Sequence, residues 1–236
     1  MMLTIVIPVF NERATVEAAL QRVVAVDYGI DAEVVLVDDA STDGTAEVLA
    51  TLVREGGPGE PGVRVLSHEE NRGKGAALRT GFAQARGELV IVQDADMEYD
   101  PNDIPSLLRP VLEGRADVVI GSRFTGGQSH RVLYFWHYVG NKFLTLMSNA
   151  FTNLNLTDME SCYKLFRKDV LDRVTLVEDR FGFEPEVTAK VARLGVRVYG
   201  SGISYAGRTY AEGKKIGFRD GVRAMWCVLK YNTWAR

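Results

Sequence analysis

Four carboxylates fall within seven residues of the stretch VQDADMEYDP, at Asp94, Asp96, Glu98 and Asp100. The apolar run ELVIV precedes them and has the character of a buried strand. The acids therefore belong at the carboxyl end of that strand, where open α/β sheets bind their ligands. A solvated acidic turn is the plain explanation for a lone pair of acids, but a divalent cation accounts for a cluster in this position. Cys162, Cys227, His68, His130 and His137 form no zinc spacing, so a metal here is held by oxygen ligands.

Two other strand ends carry polar groups suited to a nucleotide, PVFNE (8–12) and DDASTDGT (38–45). In the second, Ser41 or Thr42 caps the helix that follows, and a turn with its cap explains Asp43 and Gly44. It does not explain two consecutive Asp, which leaves Asp39 for ribose or base. NRGKGAALRTGF (71–82) brings Gly, Lys74 and Arg79 to the start of a helix, a place where backbone N–H groups and the helix dipole receive phosphate. It is neither a Walker A loop nor a dinucleotide fingerprint, since position 68 is His and positions 75 and 78 are Gly and Leu. The alternative for Lys74 and Arg79 is a solvated helix face.

These groups must be held by a regular frame, and the first half of the chain supplies one. Strands are expected at 3–10, 32–39, 63–68, 88–94 and 116–122. Amphipathic helices lie between them, from Ala14 to Val26, Asp43 to Arg54, Lys74 to Arg86 and Ile104 to Glu113. That alternation specifies an α/β fold with a mostly parallel sheet flanked by helices. After residue 122 it stops. An aromatic, helical stretch follows within 124–151, then a strand at 161–167, a helix at 184–195 and a strand at 196–206. The reading is one domain over 1–215, with a nucleotide half (1–122) and an acceptor half (123–215), and an amphipathic tail over 216–236.

A chain of 236 residues with 46% hydrophobic and 25% charged residues is an ordinary globular protein. It contains no apolar window of transmembrane length, and with a strand starting at Leu3 we expect no signal peptide and a cytoplasmic protein. The net charge of −3 hides an asymmetry. Between residues 123 and 157 there is no Asp or Glu, while Arg123, Arg131 and Lys142 are present; from Ser204 onward seven Lys or Arg face two acids. Such a distribution favours an anion or an anionic surface as partner. In the tail, Phe218, Val222, Met225, Trp226 and Leu229 recur at helical spacing, which fits a helix lying on a membrane surface and equally one packed on the core.

Taken in order, IPVFNE, VDDASTDGT, NRGKGAALRTGF, VQDADMEYDP, GSRF, TDMESCYKLFRKDV and SYAGRT resemble the family 2 glycosyltransferases with the GT-A fold. Within that family the likeness is to the polyprenyl- or dolichyl-phosphate hexose synthases. Any one motif is weak, but seven in sequence over nearly the whole chain are specific. The resemblance implies a Rossmann-like GT-A sheet with acceptor-side helices toward the C-terminus. It implies that Pro8, Phe10, Glu12 and Asp39 hold the nucleoside, with Lys74 toward the phosphates and Asp94 near ribose and metal. Asp96 and Glu98 would coordinate Mg²⁺ or Mn²⁺, both compatible with oxygen ligands. Arg208 would reach the donor diphosphate, assisted by Lys214. Relatives commonly carry a D-x-x-S-G-F/Y-R pattern where this chain has Asp158, Ser161, Cys162, Tyr163 and Lys164. Lys in place of Arg keeps the charge but loses the bidentate fork.

The implied reaction is inverting displacement of a nucleoside diphosphate by an acceptor, the donor being GDP-mannose or UDP-glucose, with mannose favoured. A hydroxyl acceptor needs a general base, for which Asp158 is the candidate. A polyprenyl phosphate is already anionic and needs none. Arg123 and Arg131 would clamp that phosphate, with Tyr134, Phe135 and Trp136 against the first isoprene units; an ordinary core helix is the competing explanation for those aromatics. The expected setting is the cytoplasmic face of a membrane, peripherally bound, with a membrane subunit or a second copy as further partners and no nucleic acid. Rival readings are a saccharide or other hydroxyl acceptor, a sugar nucleotidyltransferase and an idle nucleotide-binding module. PVFNERAT lacks the Gly- and Arg-rich loop of a nucleotidyltransferase, and the intact acidic cluster argues against an idle module. Neighbouring acids on one loop cannot flank a glycosidic bond as a hydrolase requires.

Overall fold

The apolar runs that open the chain are buried on both faces, which is the condition for parallel strands covered by helices. The computed structural model describes residues 1–57, 60–126, 131, 132, 134–208 and 217–235, without the side chains of Phe218 and Arg219. Its strands are β1 (Met2–Val9), β2 (Asp31–Asp38), β3 (Gly62–Ser67), β4 (Leu89–Val92), β5 (Val118–Ser122), β6 (Lys164–Arg167) and β7 (Val198–Gly202). They form one sheet in the order β3-β2-β1-β4-β6-β5-β7. All pairings are parallel except those of β6, which runs antiparallel to β4 and β5.

The helices are α1 (Val16–Val24), α2 (Thr45–Leu52), α3 (Lys74–Gln84), α4 (Ile104–Leu112), α5 (Phe135–Thr152), α6 (Lys168–Leu171), α7 (Phe183–Arg193) and α8 (Phe218–Thr233). In α1 the residues Val16, Ala19, Leu20 and Val23 form the stripe buried on the sheet. Ile5, Val34, Leu78, Leu89 and Ile91 are fully buried in the main core cluster. Each such side chain contributes about 1.5–3 kcal/mol relative to exposure.

The chain proceeds from β1 outward to β2 and β3, and α3 then carries it back to β4 on the other side of β1. The direction of winding reverses between β1 and β4, so a crevice opens there at the carboxyl ends of the strands. Register fixes what lines it. Val6 pairs with Val92 and Val9 with Asp38, while Asp39 N donates to Val9 O at 2.8 Å and Gln93 N to Val6 O at 3.0 Å. The three polar strand ends thus converge on one edge.

The second half departs from expectation in detail. The strand expected at 161–167 begins only at Lys164, because Cys162 N donates to the Tyr99 hydroxyl (3.1 Å) instead of joining a ladder. Strand β7 ends at Gly202, and the chain then crosses back: Tyr205 bridges Tyr99, and Ala206 N donates to Glu98 O at 2.9 Å. Helix α8 packs against α7 and α5 with Ala224, Cys227, Val228 and Tyr231 buried, while Val222, Trp226 and Trp234 remain exposed. The tail helix thus has one face packed on the protein and one face exposed.

Candidate active site

Beyond β1 the chain turns through Asn11 at φ 53°. Its side-chain oxygen accepts from Thr42 N (2.8 Å), its own N–H donates to Ser41 Oγ (2.9 Å), and Glu12 N donates to Thr45 Oγ1 (3.0 Å). The ends of β1 and β2 are laced together by these bonds. Pro8 is partly buried within β1, and Phe10 lies 37% exposed just past its end. Asp38 accepts from the Ser41 hydroxyl and N–H.

Asp39 is 2% exposed, and both its oxygens are engaged. It accepts from Arg72 N (2.9 Å) and Gly73 N (2.6 Å) and faces His68 Nδ1 at 2.7 Å, so it anchors the turn that leads into α3. The N–H groups of Arg72 and Gly73, just ahead of α3, bond Asp39, and that of Ala76 donates to Asp179 O at 3.1 Å, so these three are engaged within the protein. Lys74 does point to the site. Its Nζ lies 2.8 Å from Asp94 Oδ1 and 3.4 Å from Glu184 Oε1 of α7.

The acid loop after β4 turns sharply, with Met97 at φ 66° and Glu98 N donating to Asp96 Oδ1 at 3.1 Å. Arg208, brought back by the segment that follows β7, is the cationic centre of this loop. Its Nη2 is 3.2 Å from Asp96 and 3.7 Å from Glu12, and its Nε is 3.5 Å from Glu98. Glu98 also accepts from Arg208 N (2.8 Å) and the Tyr205 hydroxyl (2.7 Å). One guanidinium does not neutralise this many acids. Burial first, then Asp94 and Glu98, push the Asp96 carboxyl up to about 7 against the pull of Arg208.

Among the described residues no three His, Cys, Asp or Glu side chains converge as a ready metal cluster, because Asp94 leans to Lys74 and Glu98 to Tyr205. The donor set nonetheless fits a hard divalent cation. It consists of carboxylate oxygens, and the crowding that raises Asp96 is what added positive charge relieves. Arg208 Nε, buried and without a hydrogen bond, is a donor aimed among them that a diphosphate oxygen would satisfy. Lys214 lies outside the described residues.

On the other side of the crevice, Arg123 and Asp158 form a bidentate pair, Nε to Oδ2 at 2.7 Å and Nη2 to Oδ1 at 2.8 Å. Asp158 is 1% exposed. Burial alone would raise its carboxyl, but the Arg123 charge and hydrogen bonds hold it below the ordinary value. A carboxylate so stabilised is a poor proton acceptor, and its evident task is to fix the Arg123 guanidinium. That guanidinium stacks 5.1 Å from the Tyr205 ring centre. Arg131 touches the same segment, N to Tyr205 O at 2.8 Å and Nη1 to Gly207 O at 3.1 Å. Residues 205–208 thus join both arginines to the acid loop.

Sequence reasoning took only Arg208 from that segment and missed Tyr205, although SYAGRT holds both. It also missed Glu184 as partner of Lys74, and Glu160, which feels the charge of the buried Lys164. Lys164 donates to Met159 O at 2.9 Å and to Ser161 O. Glu160 has a buried, unbonded oxygen, and burial, reinforced by Glu184, lifts its carboxyl to about 8. The signal available was charge inside an otherwise apolar strand context.

Residues 4–175 match the model of the family described as glycosyl transferase family 2. The chain is 34% identical over 224 residues to the undecaprenyl-phosphate mannosyltransferase of Micrococcus luteus, covering 90% of this chain and 86% of that protein. It is 28% identical over 215 residues to the undecaprenyl-phosphate 4-deoxy-4-formamido-L-arabinose transferase of Aeromonas hydrophila, where the match covers 90% of this chain but only 62% of the relative's length. Among solved structures, the glucosyl-3-phosphoglycerate synthase of Mycobacterium tuberculosis in complex with Mn²⁺, UDP and glucosyl-3-phosphoglycerate superposes with a TM-score of 0.73 at 21% identity, over 98% of this chain and 79% of that one. That last likeness is one of fold.

Proposed function

Since the chain belongs to glycosyl transferase family 2 and has its GT-A fold, we propose that it transfers a hexose, with inversion, from a nucleotide sugar to a polyprenyl or dolichyl phosphate. Mannose from GDP-mannose is the favoured donor reading and glucose from UDP-glucose the second; the similarity to an undecaprenyl-phosphate mannosyltransferase supports the first. The observation that carries the proposal is Arg208, held among Glu12, Asp96 and Glu98 with its buried Nε left over. A cation so placed serves an anion that arrives with its own countercharge.

Asp94, Asp96 and Glu98 would hold Mg²⁺ or Mn²⁺, which when bound supplies Lewis-acid neutralisation of the leaving diphosphate. Arg208 and Lys74 add fixed positive charge on that side. Pro8, Phe10 and Glu12 line the nucleoside end, and Asp39 contributes there through the turn it anchors. Arg123, oriented by Asp158, receives the acceptor phosphate together with Arg131. A phosphate monoester is largely dianionic at neutral pH, so attack requires no base, in keeping with an Asp158 that is held ionised.

Lipid contact is assigned to α5 and the outer face of α8. Trp136 is 78%, Leu146 69%, Phe135 66% and Trp226 54% exposed, and no acid occurs from 123 to 157. Among the described residues no helix is long and apolar enough to cross a membrane, so this reading is of a peripheral contact. The basic residues of α8 contribute less to it than their number suggests, since Arg223 and Lys230 are drawn inward to Glu178.

The test is incubation of the purified protein with radiolabelled GDP-mannose or UDP-glucose and a short-chain polyprenyl phosphate, with Mn²⁺ or with chelator. Label should pass to the lipid phosphate in the presence of metal, and Asp96→Ala should abolish transfer. Label reaching only a saccharide, or transfer that persists in Asp96→Ala, overturns the assignment.

A further inference from the structure

Glu178 is a buried carboxylate far along the chain from the acid loop, and three donors from one helix converge on it. Arg223 Nη2 reaches Oε2 at 2.6 Å, while Lys230 Nζ (3.0 Å) and the Tyr231 hydroxyl (2.7 Å) reach Oε1. All three belong to α8, and their spacing of seven and eight residues puts them on one helix face. Cys227, on the same face, packs so closely that a Cβ on Gly182 would stand 2.7 Å from both its sulfur and Glu178 Oε2.

The backbone of the same residue faces the opposite way, onto the start of α3. Glu178 O accepts from Arg79 Nη1 at 2.6 Å, and Asp179 O accepts from Ala76 N at 3.1 Å. The approach leaves no slack: a Cβ at Gly75 would fall 2.2 Å from Glu178 O, and one at Gly73 2.4 Å from Asp179 O. Gly73, at φ +100°, has a backbone that L side chains rarely adopt. Lys74 stands between these two glycines and reaches Asp94 from there. Glu186 of α7 accepts from Val177 N (2.9 Å) and Glu178 N (2.8 Å), which ties the backbone of the segment to α7 as well.

We propose that Glu178 is a positioning residue of the donor site, clasping α8 against residues 178–179 so that this helix sets where Lys74 stands. The proposal rests on the glycosyltransferase reading for the meaning of Lys74, but the clasp is independent of it. Loosening the clasp lets 178–179 move, and the turn wedged against it moves with it. Helix α8 then belongs to the donor site although none of its described side chains enters it.

The experiment is a double-mutant cycle read in two ways. Dissociation constants for GDP and UDP with Mn²⁺ are measured calorimetrically in the wild type, Glu178→Gln, Lys74→Met and the double variant. Glu178→Gln should weaken nucleotide binding about tenfold in the wild-type background and scarcely at all once Lys74 is Met, as expected of coupled residues. Equal losses in both backgrounds would overturn the proposal. Hydrogen exchange provides the second reading and does not depend on any nucleotide. In Glu178→Gln the amides of Ala76 and Ala77 should exchange faster while those of β1 and β2 do not. Unchanged exchange at Ala76 and Ala77 also overturns the clasp, whereas absence of nucleotide binding by the wild type, with the exchange change present, sinks the donor reading alone. Tyr231→Phe, which removes one donor, gives the same two readings in milder form if Glu178→Gln does not fold. Leu112→Ser, exposed on α4, should alter neither.

Discussion

Arg208 answers to more carboxylates than it can neutralise. Within the proposed reaction that imbalance has a use, because the diphosphate charge grows as the glycosidic bond breaks and a preorganised cation meets it without reorganisation. Arg208→Ala should therefore lower turnover by about 10²–10³ and leave nucleoside-monophosphate affinity much less affected, as steady-state kinetics and calorimetry would reveal. Equal losses in both would assign it to ground-state binding. Glu178 yields a pH prediction of definite sign. Burial opposes its charge, but hydrogen bonds from Tyr231, Lys230 and Arg223 bring its carboxyl from 4.5 down to about 2. A depressed carboxyl contributes stability that is complete above 4.5 and is lost as pH falls toward 2. Urea unfolding of wild type and Glu178→Gln should differ by roughly 2–3 kcal/mol at neutral pH, with the difference shrinking through that acidic window. A gap that widens on acidification would be incompatible with it.

The parallel strands were legible because burial on both faces writes itself as unbroken apolar runs such as TIVI and VVLV. So were α1 and α4, whose buried stripes repeat at helical spacing. The reversed direction of β6 was not, since KLFR carries no mark of which way it runs. Residues of the candidate site were readable where a motif put chemistry at a strand end, as at Asp96, or where the family resemblance pointed, as at Arg208. They were hidden where partners are remote: nothing in the sequence pairs Glu178 with Tyr231, 53 positions on. For the same reason the basic residues of α8 read as a membrane-facing set, when two of them turn inward. Deletion of residues 217–236 should destabilise the fold rather than merely release it from lipid. It strands a buried carboxylate, a loss of about 3–5 kcal/mol for a broken buried pair, and uncovers the α7 face that Cys227 and Tyr231 cover. A thermal melt of the shortened chain that matches the full one would contradict this.

Most of the large apolar side chains exposed among the described residues gather on α5, the segment leading into it and α8. A surface patch of that kind is an interaction face, and the flanking absence of acid favours an anionic lipid surface over a neutral partner. Trp136→Ser combined with Phe143→Ser should sharply reduce co-flotation with phosphatidylglycerol vesicles while leaving nucleotide binding intact. Retained flotation, or a wild-type dimer in light scattering that the pair dissolves, would assign the patch to a second copy. The bridge between Tyr99 and Tyr205 bears on a different matter, the order in which the molecule assembles. Strands β1, β2 and β3 pair in sequence order, but β4 joins β1 across 86 positions and Arg208 meets Asp96 across 112, and closing such long loops is entropically slow. Until they close, the acids after β4 repel one another with Arg208 absent. The β1–β3 portion of the sheet can thus form before the chain acquires a competent acidic loop, and binding competence on refolding should lag behind the first recovery of secondary structure.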